Sequence, residues 1–452
     1  MSEGNDLTCD VVIVGCGVGG LYAALNLPAD ADVVMLSKGA VDECDSMLAQ
    51  GGICVLPEAA DYDAFFEDTM RAGHYENRRE SVDIMIRSSR SVVNDLLALG
   101  TRLERDADGG LAFTREGAHS RPRICYHADV TGKEITKHLL AAVRRLPNVR
   151  ILEHTAMIDL VVEDGACKGV AAVRVPEEES TETASELARI AEAGAAGGAA
   201  DGDGGAAGCD GAAGCGSPVD GVSVPFEIRA AHTILATGGI GGVYDHSTNY
   251  PQLTGDACIL AAKYGIEQEN LDYVQIHPTG LYTDKPGRTF LISESCRGEG
   301  AILLNQAGER FTDELQPRDV VAAAIREQMR KDGSAFEWLS FAPVPRDVVL
   351  GHFGTIREHC IEELGRDILE VPIPVVPTQH YFMGGVRVDK DGRTSMPGLF
   401  AVGETACNGV HGRNRLASNS LLESLVWARR AAVRIATGES LPLETLGDVP
   451  LR

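Results

Sequence analysis

A short apolar run at residues 10–14 passes directly into Gly15-Cys16-Gly17-Val18-Gly19-Gly20, and an apolar pattern of helical spacing (Leu21, Ala24, Leu25) follows. This strand, glycine turn and helix leave little choice of fold. The glycines allow a tight turn and let a pyrophosphate approach the free N–H groups at a helix N-terminus. A second apolar run, 33–36, completes the opening βαβ unit of a doubly wound α/β fold. It ends in Ser37-Lys38 rather than the acidic residue common in NAD sites, and so is compatible with a flavin dinucleotide.

The stretch 402–423, VGETACNGVHGRNRLASNSLLE, carries the densest chemistry. It holds Glu404, His411, Arg413, Arg415 and a Ser-Asn-Ser run ahead of an apolar helical pattern expected over 421–435. Unpaired N–H groups at such a helix start stabilise an anion, including the charge of a reduced flavin ring. Arginine in the same segment grips a carboxylate in bidentate fashion.

The 452 residues allow two or three domains. The net charge of -25 argues against nucleic acid and anionic membranes, so an anionic substrate needs a local basic site. No apolar run is long enough for a membrane span, and the acidic N-terminus does not read as a signal peptide; a cytoplasmic location is expected. The twelve cysteines show no CxxC pair or metal-finger spacing, and no metal site is expected. Residues 177–224, with ten acidic residues and one basic, have almost no large apolar side chains and are expected to form a disordered insertion. Helical periodicity runs through 61–99, and a helix is expected at 319–329. The expected division is an FAD-binding domain in two parts, 1–269 and 381–452, with a capping domain at 270–380.

Several residues invite a functional reading that none supports alone. Ala49-Gln50-Gly51-Gly52 and Ala236-Thr237-Gly238 read as plain glycine turns or as backbone contacts to a flavin. His277 precedes a proline-fixed turn, and His380 precedes Tyr381-Phe382-Met383-Gly384-Gly385; a lone histidine is usually structural. Arg318 at a helix start reads as a solvated side chain, and Glu116 as part of a polar loop.

Together these segments resemble a known family. The motifs VVIVGCGVGG, MLAQGG, TREGAHS, IHPTGLY, SESCRGEGAILLN, GERF, PRDVV, VPTQHYFMGGV and GLFAVGETACNGVHGRNRLASNSLLES occur in the order seen in the succinate dehydrogenase/fumarate reductase flavoprotein superfamily. Within it the chain is similar to the L-aspartate oxidase branch, which opens bacterial de novo NAD synthesis. The resemblance implies an α/β fold: a Rossmann-like FAD-binding domain of the GR2 type with an inserted α+β capping domain. Such enzymes usually continue into a C-terminal helical domain, which is expected to be absent from a chain ending at Arg452.

The resemblance also implies roles. FAD would be held by Gly15, Gly17, Gly19, Gly20, Ser37, Lys38, Ser46, Ala49, Gln50, Gly51, Gly52, Ala236, Thr237, Gly238, Asp256, Gly403, Glu404, Ser418, Ser420 and Leu421. Asp45 stands where succinate dehydrogenases carry the flavin-linking histidine, so FAD is expected to be non-covalent. His277, Ser293, Glu294, His380 and Arg415 would hold the two carboxylates of the substrate, Arg318 would lie near its Cα–H side, and Glu116 would pair with its ammonium group. The implied reaction is hydride transfer from L-aspartate to N5 of FAD, giving iminoaspartate, with reoxidation by dioxygen or fumarate. Quinolinate synthase is an implied partner. Ala118 departs from the glycine common at its position. A soluble fumarate reductase using the same ionic set is the alternative, and a catalytically silent flavoprotein is the reading from another class.

Overall fold

The computed structural model describes residues 6–176, 224–285, 287–446 and 449–451. Apart from Val224, the acidic segment lies outside the described residues.

The main sheet is built on four parallel strands in the order Val149–Leu152, Val33–Leu36, Leu7–Val14 and Phe226–Leu235. Val11, Val12, Ile13 and all of Val33–Leu36 are buried, as strands covered on both faces must be. The long strand Phe226–Leu235 then divides its pairing. Its first half joins the antiparallel hairpin Thr155–Glu163 and Ala166–Arg174, and its second half pairs in parallel with Leu399–Ala401. Helices Val18–Asn26 and Asn419–Thr437 pack together over this sheet.

Between Phe226–Leu235 and Leu399–Ala401 the chain builds a second unit. A four-stranded antiparallel sheet runs in the order Val274–Leu281, Ile373–Phe382, Glu337–Ser340 and Ile302–Leu304. Leu303, Val321, Ile325, Leu339, Ile356 and Val375 fill a core separate from that of the main sheet.

Two helical expectations shift in detail. The helix expected at 319–329 runs Arg318–Asp332, because Gly333 at φ 61° supplies the left-handed stop. The periodic stretch 61–99 is two helices, Tyr62–Ala72 and Arg79–Ala98, with His74 and Tyr75 at positive φ between them. Among the described residues no helix is long and apolar enough to cross a membrane.

Candidate active site

A long cavity runs from Lys38 and Asp256 to Arg318 and Arg415. The first strand delivers the chain into Gly15, whose φ of 112° and approach to the Ala236 carbonyl exclude a side chain; a Cβ there would lie 2.0 Å from that oxygen. Gly17 and Gly19 line the cavity where helix Val18–Asn26 begins. Gly20 does not line it. A Cβ at Gly20 would strike the Gly15 carbonyl, so this glycine shapes the turn from behind. Ser46 Oγ accepts the Val18 N–H at 3.1 Å. Lys38 is tied by its Nζ to Asp256 at 2.9 Å and to the Gln252 carbonyl at 3.1 Å.

Further along, the cavity is walled by Ser37, the turn holding Ala49, Gln50, Gly51 and Gly52, by Ala236, Thr237 and Gly238, and by Gly403, Glu404, Ser418, Ser420 and Leu421. Ser418 adopts a left-handed φ of 61° immediately before helix Asn419–Thr437. Its Oγ accepts the Gly52 N–H at 3.1 Å and donates to Glu116 at 2.6 Å. No side chain caps this helix start, so its first N–H groups and positive dipole end stay available to an anion.

Two acids on the same wall are unusual. Burial, together with the neighbouring Asp45, pushes Glu404 up to about 8, although its Oε1 accepts the Phe382 N–H at 2.8 Å. Burial likewise lifts Asp45 to about 7 against the Tyr250 N–H and the charge of Arg288, and its Oδ2 has no partner. This arrangement fits FAD: a glycine turn bare of side chains for the pyrophosphate, half-buried acids for a hydroxylated chain, and a free helix N-terminus for the ring. Asp45 cannot form the histidyl link of the covalent flavoproteins.

The far end is built from side chains. Arg318 and Arg415 come from different units yet share one acceptor. Gln275 Oε1 takes Arg318 Nη1 at 2.9 Å and Arg415 Nε at 3.3 Å, while its Nε2 donates to Asn414 Oδ1 and to the Arg415 carbonyl. Arg415 also donates to Ser420 Oγ at 2.8 Å and lies over the Tyr381 ring. Burial and Arg318 lower its pKa to about 10, so it remains a cation at neutral pH. His277 and His380 meet edge to face, with ring centroids 5.3 Å apart. Burial and the nearby guanidinium groups push both well below the ordinary histidine range, so both are neutral. The Thr279 N–H donates to His277 Nδ1, so the proton sits on Nε2, which is buried without a partner. His380 Nδ1 shares a 2.8 Å hydrogen bond with Thr248 Oγ1. Ser293 lines the same space and caps the short helix Glu294–Gly298.

Glu116 lines the cavity beside these cations. Burial and the nearby Glu294 raise its pKa, with Ser418, Arg318 and Arg415 opposing. Its Oε1 occupies the space a side chain at Gly51 would take. The loop carrying it is anchored by His119, which bonds the Ala417 carbonyl at 3.0 Å and buried Arg123 at 3.0 Å; Arg123 in turn pairs with Asp61 and Asp68. Ala118 in this loop sits at φ 66°, a conformation suited to glycine.

Glu294 departs from the role the resemblance implies. It is bonded to Arg318 Nε at 2.5 Å, with Arg297 3.9 Å away. Burial opposes its charge, but the two arginines outweigh that and hold it at about 2. A fixed anion repels a substrate carboxylate, so Glu294 orients Arg318 instead. Nor do all the charged residues of 402–423 converge. Arg413 is exposed over Tyr273, and His411 is buried beneath Tyr381, outside the cavity lining. Three residues escaped the sequence reading. Gln275 and Thr248 carry no local pattern, whereas Arg297 was legible as the i+3 neighbour of Glu294 on one helix face.

Comparisons with known proteins agree with this geometry. Residues 10–421 match the FAD binding domain family. The L-aspartate oxidase of Clostridium perfringens is 43% identical over 94% of this chain and 86% of that protein. The L-aspartate oxidase of Clostridium acetobutylicum is 40% identical over 95% and 88%. The solved structure of the E. coli quinol fumarate reductase subunit FrdA superposes with a TM-score of 0.79 at 28% identity, covering 97% of this chain and 72% of that one. FAD is therefore the cofactor, and the chain belongs to the FAD binding domain family, in its L-aspartate oxidase branch.

Proposed function

We propose that the chain oxidises L-aspartate to iminoaspartate with non-covalent FAD, and that dioxygen, giving hydrogen peroxide, or fumarate, giving succinate, takes the electrons onward. The observation carrying this reading is Glu116, a half-buried carboxyl beside two guanidinium groups at the end of the FAD cavity. A diacid substrate needs the cations, since burying its carboxylates unpaired costs several kcal/mol each. An amine-bearing diacid also needs an acceptor for its ammonium protons, and succinate does not.

FAD, when bound, supplies the two-electron acceptor. Arg415, His380 Nε2, His277 Nε2–H and Ser293 Oγ hold the substrate carboxylates. Arg318, fixed by Glu294 and Gln275, turns its remaining guanidinium N–H groups to the reacting carbons. Glu116 takes a proton from the substrate ammonium on Oε1 while Ser418 Oγ–H steadies Oε2. Its raised pKa makes it a better base than an ordinary carboxylate. The 270–380 unit acts as a cap that excludes water, which strengthens every charge contact beneath it.

The ten described cysteines are all free, in keeping with a reducing cytoplasm. The imine product hydrolyses in water, so an enzyme that consumes it promptly is expected downstream. Quinolinate synthase, in NAD synthesis, is that partner in this reading. A soluble fumarate reductase is the second reading, favoured by the clamp itself. Anaerobic mixing of the FAD-loaded protein with L-aspartate separates the two. Bleaching near 450 nm supports aspartate oxidation; no bleaching by aspartate, with rapid reoxidation of dithionite-reduced protein by fumarate, supports the reductase.

A further inference from the structure

A proton acceptor works only at the right distance from the reacting centre, and Glu116 is fixed at one carboxyl oxygen. Ser418 Oγ–H donates to its Oε2 at 2.6 Å. The rest of its placement comes from the turn that carries it. The His119 N–H donates to the Glu116 carbonyl at 3.3 Å, with Ala118 at a left-handed φ of 66° between them. This turn sends two side chains onto consecutive residues of another segment. Glu116 meets Ser418, and His119 Nε2 meets the Ala417 carbonyl at 3.0 Å. Ala417 and Ser418 lead into helix Asn419–Thr437, whose start faces the FAD cavity.

The His119 ring is buried and held from behind. Fully buried Arg123 points Nη1 at His119 Nδ1 at 3.0 Å. A guanidinium only donates, so Nδ1 accepts and the proton sits on Nε2, facing Ala417. Burial lowers the pKa of His119 to about 4, which keeps the ring neutral and this tautomer fixed. Arg123 also donates to Asp61 at 2.9 Å and to Asp68 at 2.7 Å. The Ser120 N–H and Oγ–H reach the same Asp68 oxygen at 2.7 and 2.6 Å. Next to Asp68 on helix Tyr62–Ala72, Thr69 Oγ1 accepts Asn419 Nδ2 at 3.3 Å. One helix therefore anchors both the turn and the start of the flavin-facing helix.

We propose that His119 is a positioning residue for amine oxidation: braced by Arg123, it sets the distance between the Glu116 carboxyl and the start of the flavin-facing helix. The inference rests on the functional reading above. A diacid without an amine does not call on Glu116 and is indifferent to this spacing. An amino diacid is not, because a displacement of about 1 Å at a reacting group costs up to about 10²-fold in rate.

The test compares two amide variants of the FAD-loaded protein. His119→Asn keeps an acceptor for Arg123 but is too short to reach Ala417; His119→Gln reaches it. In His119→Asn the anaerobic reduction of FAD by L-aspartate is expected to fall by about tenfold or more, while reoxidation of the reduced protein by fumarate stays within about twofold and FAD content is unchanged. His119→Gln is expected to recover most of the aspartate rate. Adding His119→Asn to Glu116→Gln is expected to cost nothing further, since both act through one carboxyl. Equal losses in the two half-reactions, loss of FAD, or an unchanged aspartate rate overturn the proposal. If His119→Asn does not fold, His119→Phe, which keeps the ring volume and loses both bonds, is read in the same way. If the parent protein is not reduced by aspartate, the functional reading itself fails and the proposal falls with it.

Discussion

The two ends of the long cavity are made by different means. At the nucleotide end, contiguous glycines and small residues expose backbone, and selectivity comes from the absence of side chains. At the substrate end, side chains from residues 116, 277, 293, 318, 380 and 415 converge from separate elements, and Gln275 and Glu294 hold the two guanidinium groups. The first end tolerates no added volume. The second tolerates no change in charge or hydrogen bonding. Substitutions at the two ends should therefore fail differently.

The largest effect is expected at the nucleotide end. Gly15→Ala drives a Cβ into the Ala236 carbonyl at a backbone angle alanine resists. The purified variant should carry almost no FAD, read from its 450 to 280 nm absorbance ratio; normal FAD content would contradict the close-approach role of the turn. At the other end, Gln275→Leu should leave FAD content unchanged but lower kcat/KM for aspartate about 10²-fold, since two charged hydrogen bonds are lost. A variant that instead loses FAD would erase the distinction between the ends.

The acid on the flavin wall predicts a pH effect. Asp45 titrates near 7 in the folded, cofactor-free protein, above its ordinary value of 3.8. A raised folded pKa contributes stability at low pH that is lost as pH rises through 7. Asp45→Asn removes that loss and still accepts the Tyr250 N–H. Its melting temperature without FAD should exceed the parent's by a few degrees at pH 8 and by much less at pH 5. A gain independent of pH would mean that Asp45 is not held as a neutral acid. The smallest effect is at Ala118, whose φ of 66° favours glycine. Ala118→Gly should stabilise the protein by about 1 kcal/mol and leave aspartate turnover unaltered; destabilisation would show the loop to be unstrained.

The same contrast explains what the sequence made legible. The Gly15 turn and the strands around it are local patterns, so the αβ framework and the glycine-lined end of the cavity could be read directly. Gly20 fits the same motif but faces away, because the turn needs one glycine for its own backbone. The substrate end came into view only through the order of its motifs. Within one short segment Arg415 enters the site, Arg413 faces solvent and His411 lies under Tyr381, and no periodicity separates them. Thr248 and Gln275 were invisible because each acts through a partner more than a hundred residues away. Glu294 was read as a ligand for carboxylates, since pairing with Arg318 is a fact of tertiary structure alone.

The central claim is that Glu116 makes this clamp an amine-oxidising one. The direct measurement is single-turnover kinetics of Glu116→Gln with both substrates: anaerobic reduction of bound FAD by L-aspartate, and reoxidation of the reduced protein by fumarate. A glutamine cannot take the ammonium proton, so the aspartate rate should fall at least a hundredfold while the fumarate rate changes little. Equal losses in the two half-reactions, or none in either, would contradict the account.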